Sequence, residues 1–88
     1  MASNKLTWDA NTEVDLRDYR VYRNGIQIAV VPKGIQTYTD AGLADGSYTY
    51  DLTATDNSNN ESPHSVSVTK VVDTNPPKAP TGLVVVTM

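Results

Sequence analysis

The sequence predicts an all-β protein, a sandwich of two antiparallel sheets with about seven strands. Three observations predict it. Valine, isoleucine, threonine and tyrosine recur throughout the 88 residues, and these side chains suit the pleated surface of a sheet. Short alternating segments follow one another, with Gly, Pro, Asn and Asp between them. No segment carries the 3.6-residue period of an amphipathic helix.

The elements follow in chain order. Lys5 to Asp9 alternates, with Leu6 and Trp8 on one face, and Asp9 to Glu13 is a polar loop. Asp18 to Arg23 alternates again, with Tyr19 and Val21 on one face and Arg20 and Tyr22 on the other. Asn24-Gly25 is a hairpin signal, because both residues tolerate positive φ. Ile26 to Val31 is the return strand. Pro32 ends it and cannot donate to a ladder, which places this strand at a sheet edge. Ile35 to Asp40 is a short strand with Tyr38 inward, and Ala41 to Gly46 is a turn. Ser47 to Asp56 is the clearest strand, with Tyr48, Tyr50, Leu52 and Ala54 on one face and Thr49, Asp51, Thr53 and Thr55 on the other. A polar loop from Asn57 to Pro63 precedes a strand from Ser65 to Val72 with Val66 and Val68 inward. Pro76, Pro77 and Pro80 make residues 73–80 an extended connector of polyproline character. Thr81 to Met88 is a final valine-rich strand. The expected core is Leu6, Trp8, Tyr19, Val21, Tyr50 and Leu52.

Four segments together resemble the fibronectin type III family, in the form appended to secreted bacterial proteins. They are Leu6-Thr7-Trp8, Tyr19 to Gly25, Tyr38 to Leu43, and Gly46 to Asp56. In order, they match the family's strands B, C, E and F. The resemblance implies an immunoglobulin-like sandwich with sheets A-B-E and C′-C-F-G around the strand B tryptophan. It also implies an extracellular or cell-surface location for the parent protein. Leu43 through Tyr48 resembles the family's tyrosine corner. It is one residue shorter than the commonest form, which leaves open which tyrosine makes the corner bond.

One departure is informative. The family's strand A pattern does not precede Leu6. It stands at the other end, as Pro77-Lys78-Ala79-Pro80-Thr81-Gly82-Leu83-Val84-Val85-Val86. The resemblance therefore divides the chain into strands B to G (residues 1–72), the connector (73–80) and a displaced strand A (81–88). That strand can fold back, enter a neighbouring molecule or hang free. Folding back requires the connector to span the long axis of the sandwich. Eight polyproline-like residues reach about 25 Å, and a seven-residue strand is itself roughly 23 Å long. Donation to a neighbour leaves the connector unstretched. Leu83, Val84, Val85 and Val86 are the expected donor side chains, with Leu83 and Val85 inward, and the expected partner is a second copy.

The remaining chemistry is sparse. The chain has no cysteine, which removes disulfides, thiolate metal sites and thiol nucleophiles. The net charge of −3 argues against nucleic acid, and no apolar run approaches the ~18 residues of a membrane span. No basic-then-apolar segment opens the chain, so no signal peptide is expected. His64, the one histidine, lies in a polar loop and reads as solvated. Arg17, Arg20 and Arg23 read as a solvated strand face. Asp56, Asn57, Asn59 and Glu61 could offer oxygens to calcium, but they lack EF-hand spacing and read as Asx-turn chemistry. Asp15, Asp18, Asp40 and Asp45 are scattered and suggest no acid–base pair. No cofactor, catalytic residue or metal ligand is expected. The function expected is a structural or adhesive module that self-associates through its C-terminal strand. The alternatives are an accessory module holding a protein or glycan through its loops, and an intramolecularly closed permutant.

Overall fold

The computed structural model describes residues 1–88. It contains six strands: β1 (Ala2–Thr7), β2 (Leu16–Arg23), β3 (Ile26–Pro32), β4 (Thr37–Leu43), β5 (Gly46–Asp56) and β6 (Val68–Val72). They form a two-stranded sheet, β1-β4, and a four-stranded sheet, β3-β2-β5-β6, with every pairing antiparallel. The expected seventh strand is missing from the sandwich, because residues 81–88 pair with nothing.

Local chemistry explains most of the pairings. At the β2–β3 hairpin Asn24 and Gly25 have φ of 52° and 80°, the two positive values a type I′ turn needs. Asn24 then ties this turn to β5, donating its N–H to the Thr49 carbonyl (2.7 Å) and accepting from the Thr49 N–H through Oδ1 (2.9 Å). β3 lies at the sheet edge and ends on Pro32, as its missing donor requires.

Three boundaries differ most from the sequence reading, by three residues each. β1 starts at Ala2 instead of Lys5, because the segment pairs with β4 as far as Leu43. β4 runs through the expected 41–46 turn. The register gains one residue on β4 between Asp40 and Leu43, and Gly42 at φ 73° absorbs it as a bulge. Leu43 stays buried on the inner face, and only Ala44 and Asp45 are left to turn the chain. β6 begins at Val68, not Ser65. Upstream of it, Pro63 interrupts the ladder, and Ser62 and Ser65 take over its bonds to β5. Each donates its N–H to a β5 carbonyl (Ala54 and Leu52, both 2.8 Å), and each offers its hydroxyl to the N–H of the same residue.

The core is small, with 10 of 88 residues buried. Leu16, Tyr19, Val21 and Val31 form its centre, and Leu6, Trp8, Ile28, Tyr38 and Leu52 pack around them half-buried. Trp8 meets Tyr19 edge-on at 5.5 Å. Of the expected core, Tyr19, Val21 and Tyr50 are buried, whereas Leu6, Trp8 and Leu52 are only partly covered. The tyrosine corner bond belongs to Tyr48, whose hydroxyl donates to the Ala44 carbonyl at 2.6 Å.

Beyond Val72 the chain leaves the sandwich. Sixteen extended residues cover about 50 Å, and the molecule measures 76 × 24 × 21 Å. The long dimension is therefore a body plus an outstretched tail.

Candidate assembly site

The registers place the two ends of the sandwich. Ala2 pairs with Leu43 and Val72 pairs with Gly46, so β1 begins and β6 ends at the same pole, beside the Ala44-Asp45 turn. The tail leaves from this pole. A strand antiparallel to β1 along its free edge would start at the opposite pole, a strand's length away. The connector would need to run back over that length to deliver residues 81–88 to their own sandwich, and it points outward instead.

β1 pairs on one edge only, with β4. Between its other edge and β6 lies an open groove of about 520 Å³. Leu6 lines it from β1, Tyr50 and Leu52 from β5, and Val66 and Val68 from the far side. Val68 stands opposite Tyr50 and shares its inner face. Val66 and Val68 are thus aimed between the sheets, as the alternation predicts, but they are 88% and 65% exposed instead of buried. The cause is geometric. Two strands cannot cover four, and β6 has no strand opposite it. Leu83, Val84, Val85 and Val86 are also exposed, each at least 72%. The structure therefore holds an uncovered apolar groove and an uncovered apolar segment, and does not bring them together.

The wall of the groove near the tail's pole is polar and tightly bonded. Arg23 donates from Nη1 to both oxygens of Asp40, at 2.8 and 2.9 Å. The Tyr50 hydroxyl donates to Asp40 Oδ2 at 2.6 Å and accepts from Asn4 Nδ2 at 3.1 Å. Four strands are bridged through one buried carboxylate. This corrects the reading of Arg23 as solvated: its parity is that of Tyr19 and Val21, so it faces inward. The bond to Asp40 pushes the Arg23 guanidinium further above its ordinary value. Burial, then the bond to Asp40, raises Tyr50.

The outer face of the large sheet carries a second cluster. The Glu61 carboxylate accepts from the Tyr22 hydroxyl and, at 2.6 Å, from Thr53 Oγ1, with Arg20 Nη1 at 3.5 Å. The bonds from Thr53 and then Tyr22 hold Glu61 below the usual carboxylate range. Thr53 is buried beneath this cluster, and Thr55 on the same face is buried too. His64 is docked here, not merely solvated. Its Nδ1 lies 3.3 Å from Asp51 Oδ2, and its ring centroid is 4.6 Å from that of Tyr22. Three of the four residues considered for calcium, Asp56, Asn59 and Glu61, already have protein donors on their oxygens. Asp56 Oδ1 accepts from the Ser58 and Asn60 N–H groups at 2.9 Å each, and Asn59 Oδ1 accepts from Arg17. The Asn60 bonds hold Asp56 low. Asp15, Asp18, Asp40 and Asp45 lie apart, and the last two prove to be structural anchors that no sequence motif marks.

Two sheets of this topology, B-E and C′-C-F-G with the place beside B empty, define a fibronectin type III-like fold. Solved structures agree. The fibronectin(III)-like modules of Clostridium thermocellum CbhA superpose with a TM-score of 0.67 at 17% identity, covering 81% of this chain and 78% of theirs. The Clostridium perfringens spore cortex lytic enzyme SleM superposes at 0.69, also with 17% identity, over 80% of this chain and 24% of its own. In sequence, an alpha-amylase of Niallia circulans is 39% identical over a 66-residue alignment that covers 73% of this chain and 5% of that protein. The chain thus spans about a twentieth of the amylase it resembles. No family model matches the chain.

Proposed function

We propose that this chain is a non-catalytic structural module that self-associates head to tail, giving residues 81–88 to the groove beside β1 of a neighbouring sandwich. The observation that carries the reading is the complementarity of two uncovered surfaces. One is a groove lined by Leu6, Leu52, Val66 and Val68 next to an unpaired strand edge. The other is a valine-rich segment held clear of its own body. Strand addition supplies main-chain hydrogen bonds and fills the gap with alternate side chains. Burying Leu83 and Val85 contributes about 3–6 kcal/mol in gross terms, which must offset an association cost of about 4–15 kcal/mol. Covering Leu6, Val66 and Val68 adds to the gain, and assembly should depend on concentration. The donor enters the far pole of its acceptor, whose own tail leaves the near pole, so the contact is heterologous and propagates as a filament.

A second reading rests on the comparisons. Two of the similar proteins are named as enzymes far longer than this chain, an alpha-amylase and a spore cortex lytic enzyme. That supports a role as an accessory or spacer module of a larger extracellular bacterial enzyme, with loops free to hold a protein or glycan. Within such a polypeptide the same groove would take its strand from an adjoining module.

Light scattering over a concentration series separates these readings. The full chain should gain mass with concentration, and a truncation ending at Val72 should stay monomeric. Hydrogen exchange should show the β1 amides on the free edge, away from β4, protected in the assembled form only. A full chain that remains monomeric at all concentrations, with β1 exchanging as in the truncation, would overturn self-assembly.

A further inference from the structure

We infer that Asp45 is the positioning residue that directs the donor strand to a neighbour instead of to its own sandwich. The inference rests on the donation reading and concerns how the donor is aimed. Past Val72 the tail has no sheet partner, yet its first residues are fastened. The Asp45 carboxylate accepts from the Thr74 N–H (3.1 Å) and Thr74 Oγ1 (2.8 Å) on one oxygen, and from Asn75 Nδ2 (3.2 Å) on the other. The Asn75 N–H closes a turn onto Asp73 Oδ1 at 3.0 Å. Asp45 itself sits in a two-residue turn between β4 and β5, with buried Leu43 before it and Gly46 paired to Val72 after it.

Pro76 and Pro77 follow at once, and their locked φ carries the direction set at Thr74 and Asn75 onward into the connector. Self-closure requires the chain to reverse at these same residues and return along the body. Three bonds to one carboxylate oppose that reversal and leave the outward path open. A free connector would allow both outcomes, so the clamp is a specificity device. It removes the intramolecular competitor of assembly.

The test is Asp45→Ala in the full chain. Light scattering and small-angle scattering should show high-mass species replaced by compact monomers shorter than the 76 Å of the outstretched chain. Asp45→Asn should be intermediate, since its amide oxygen still accepts from Thr74 but its NH2 group cannot accept from Asn75. A readout independent of assembly uses Leu83→Ser/Val85→Ser, which cannot fill the groove. In that background ¹⁵N relaxation should find the Thr74 and Asn75 amides as rigid as the sheet, and mobile once Asp45→Ala is added. If Asp45→Ala assembles with unchanged mass and spacing, or leaves those amides rigid, the positioning role falls and donation stands. A wild-type chain that never assembles removes donation, and the positioning role with it.

Discussion

Val21 and Val68 both point between the sheets, from strands of the same sheet, yet Val21 is fully buried and Val68 is 65% exposed. Residue type cannot explain the difference, and neither can parity. What differs is the layer opposite. Trp8, just past β1, and Tyr38 of β4 close over β2, whereas nothing closes over β6. One half of the sandwich is a finished core, and the other is a core face that no strand covers. An alternating strand pattern specifies which way a side chain points, but burial belongs to the neighbouring layer. Stability should accordingly be concentrated in the closed half, and capacity for association in the open one.

The largest expected effect lies in the closed half. Tyr19→Ala empties the centre of the core and loses the edge-on contact with Trp8, costing about 3–5 kcal/mol. Small domains have only about 5–15 kcal/mol to lose, so chemical denaturation should show a folded population that is barely stable. A cost near zero would mean that the closed half is not the core.

Tyr50→Phe probes the seam between the halves. It removes the hydroxyl bonded to Asp40 while leaving Arg23 in place, and should cost about 1.5–3 kcal/mol, as for a hydrogen bond to a charged group. It should also change the alkaline limb of the stability profile. A tyrosine held above its ordinary value stabilises the fold fully below pH about 10, and this contribution is lost as pH rises through the folded value. The wild type should therefore lose stability above that pH more steeply than the Phe variant.

Val68→Ala sharpens the contrast with Tyr19. In dilute monomer it should cost no more than about 0.5 kcal/mol, as at an exposed site. At assembling concentrations it should weaken association measurably, because the same methyl groups are then covered. Equal effects in both regimes would show that no strand enters the groove.

The smallest effect is expected at Glu61→Gln, on the solvent face. Its carboxylate is held low by Thr53 and Tyr22, so its contribution is present above the ordinary carboxyl range and fades as pH falls through the lowered folded value. The variant should melt slightly lower than the wild type at neutral pH and converge with it as the pH falls, so that the acid limb of its thermal melting profile is flatter.

Much of the closed half was legible in the amino-acid order. Asn24-Gly25 announced its hairpin, Pro32 its edge strand, and the run from Ser47 to Asp56 its alternation. These signals are local, arising from φ preferences, a missing donor and a two-residue period. The two anchors were not legible. Asp40 meets Arg23 and Tyr50 across sequence separations of 17 and 10, and Asp45 meets Thr74 across 29. A lone aspartate near a glycine looks the same whether it is solvated or clamps a distant segment. The burial of Thr53 was missed for a related reason. Glu61 reaches Thr53 from a loop whose path depends on Ser62 and Ser65 taking the place of a backbone ladder that Pro63 forbids.

By itself, then, the amino-acid order determined where most strands lie, most of their inward faces, the Asn24-Gly25 turn and the valine-rich segment set apart by prolines. Each follows from interactions within a few residues along the chain. Tertiary structure alone decided that β1 keeps a free edge, that Val66 and Val68 stay uncovered, and that Asp45 holds the tail outward. Those depend on how many strands face one another and on which distant groups come within 3 Å or so of a carboxylate, and neither is written in any local pattern.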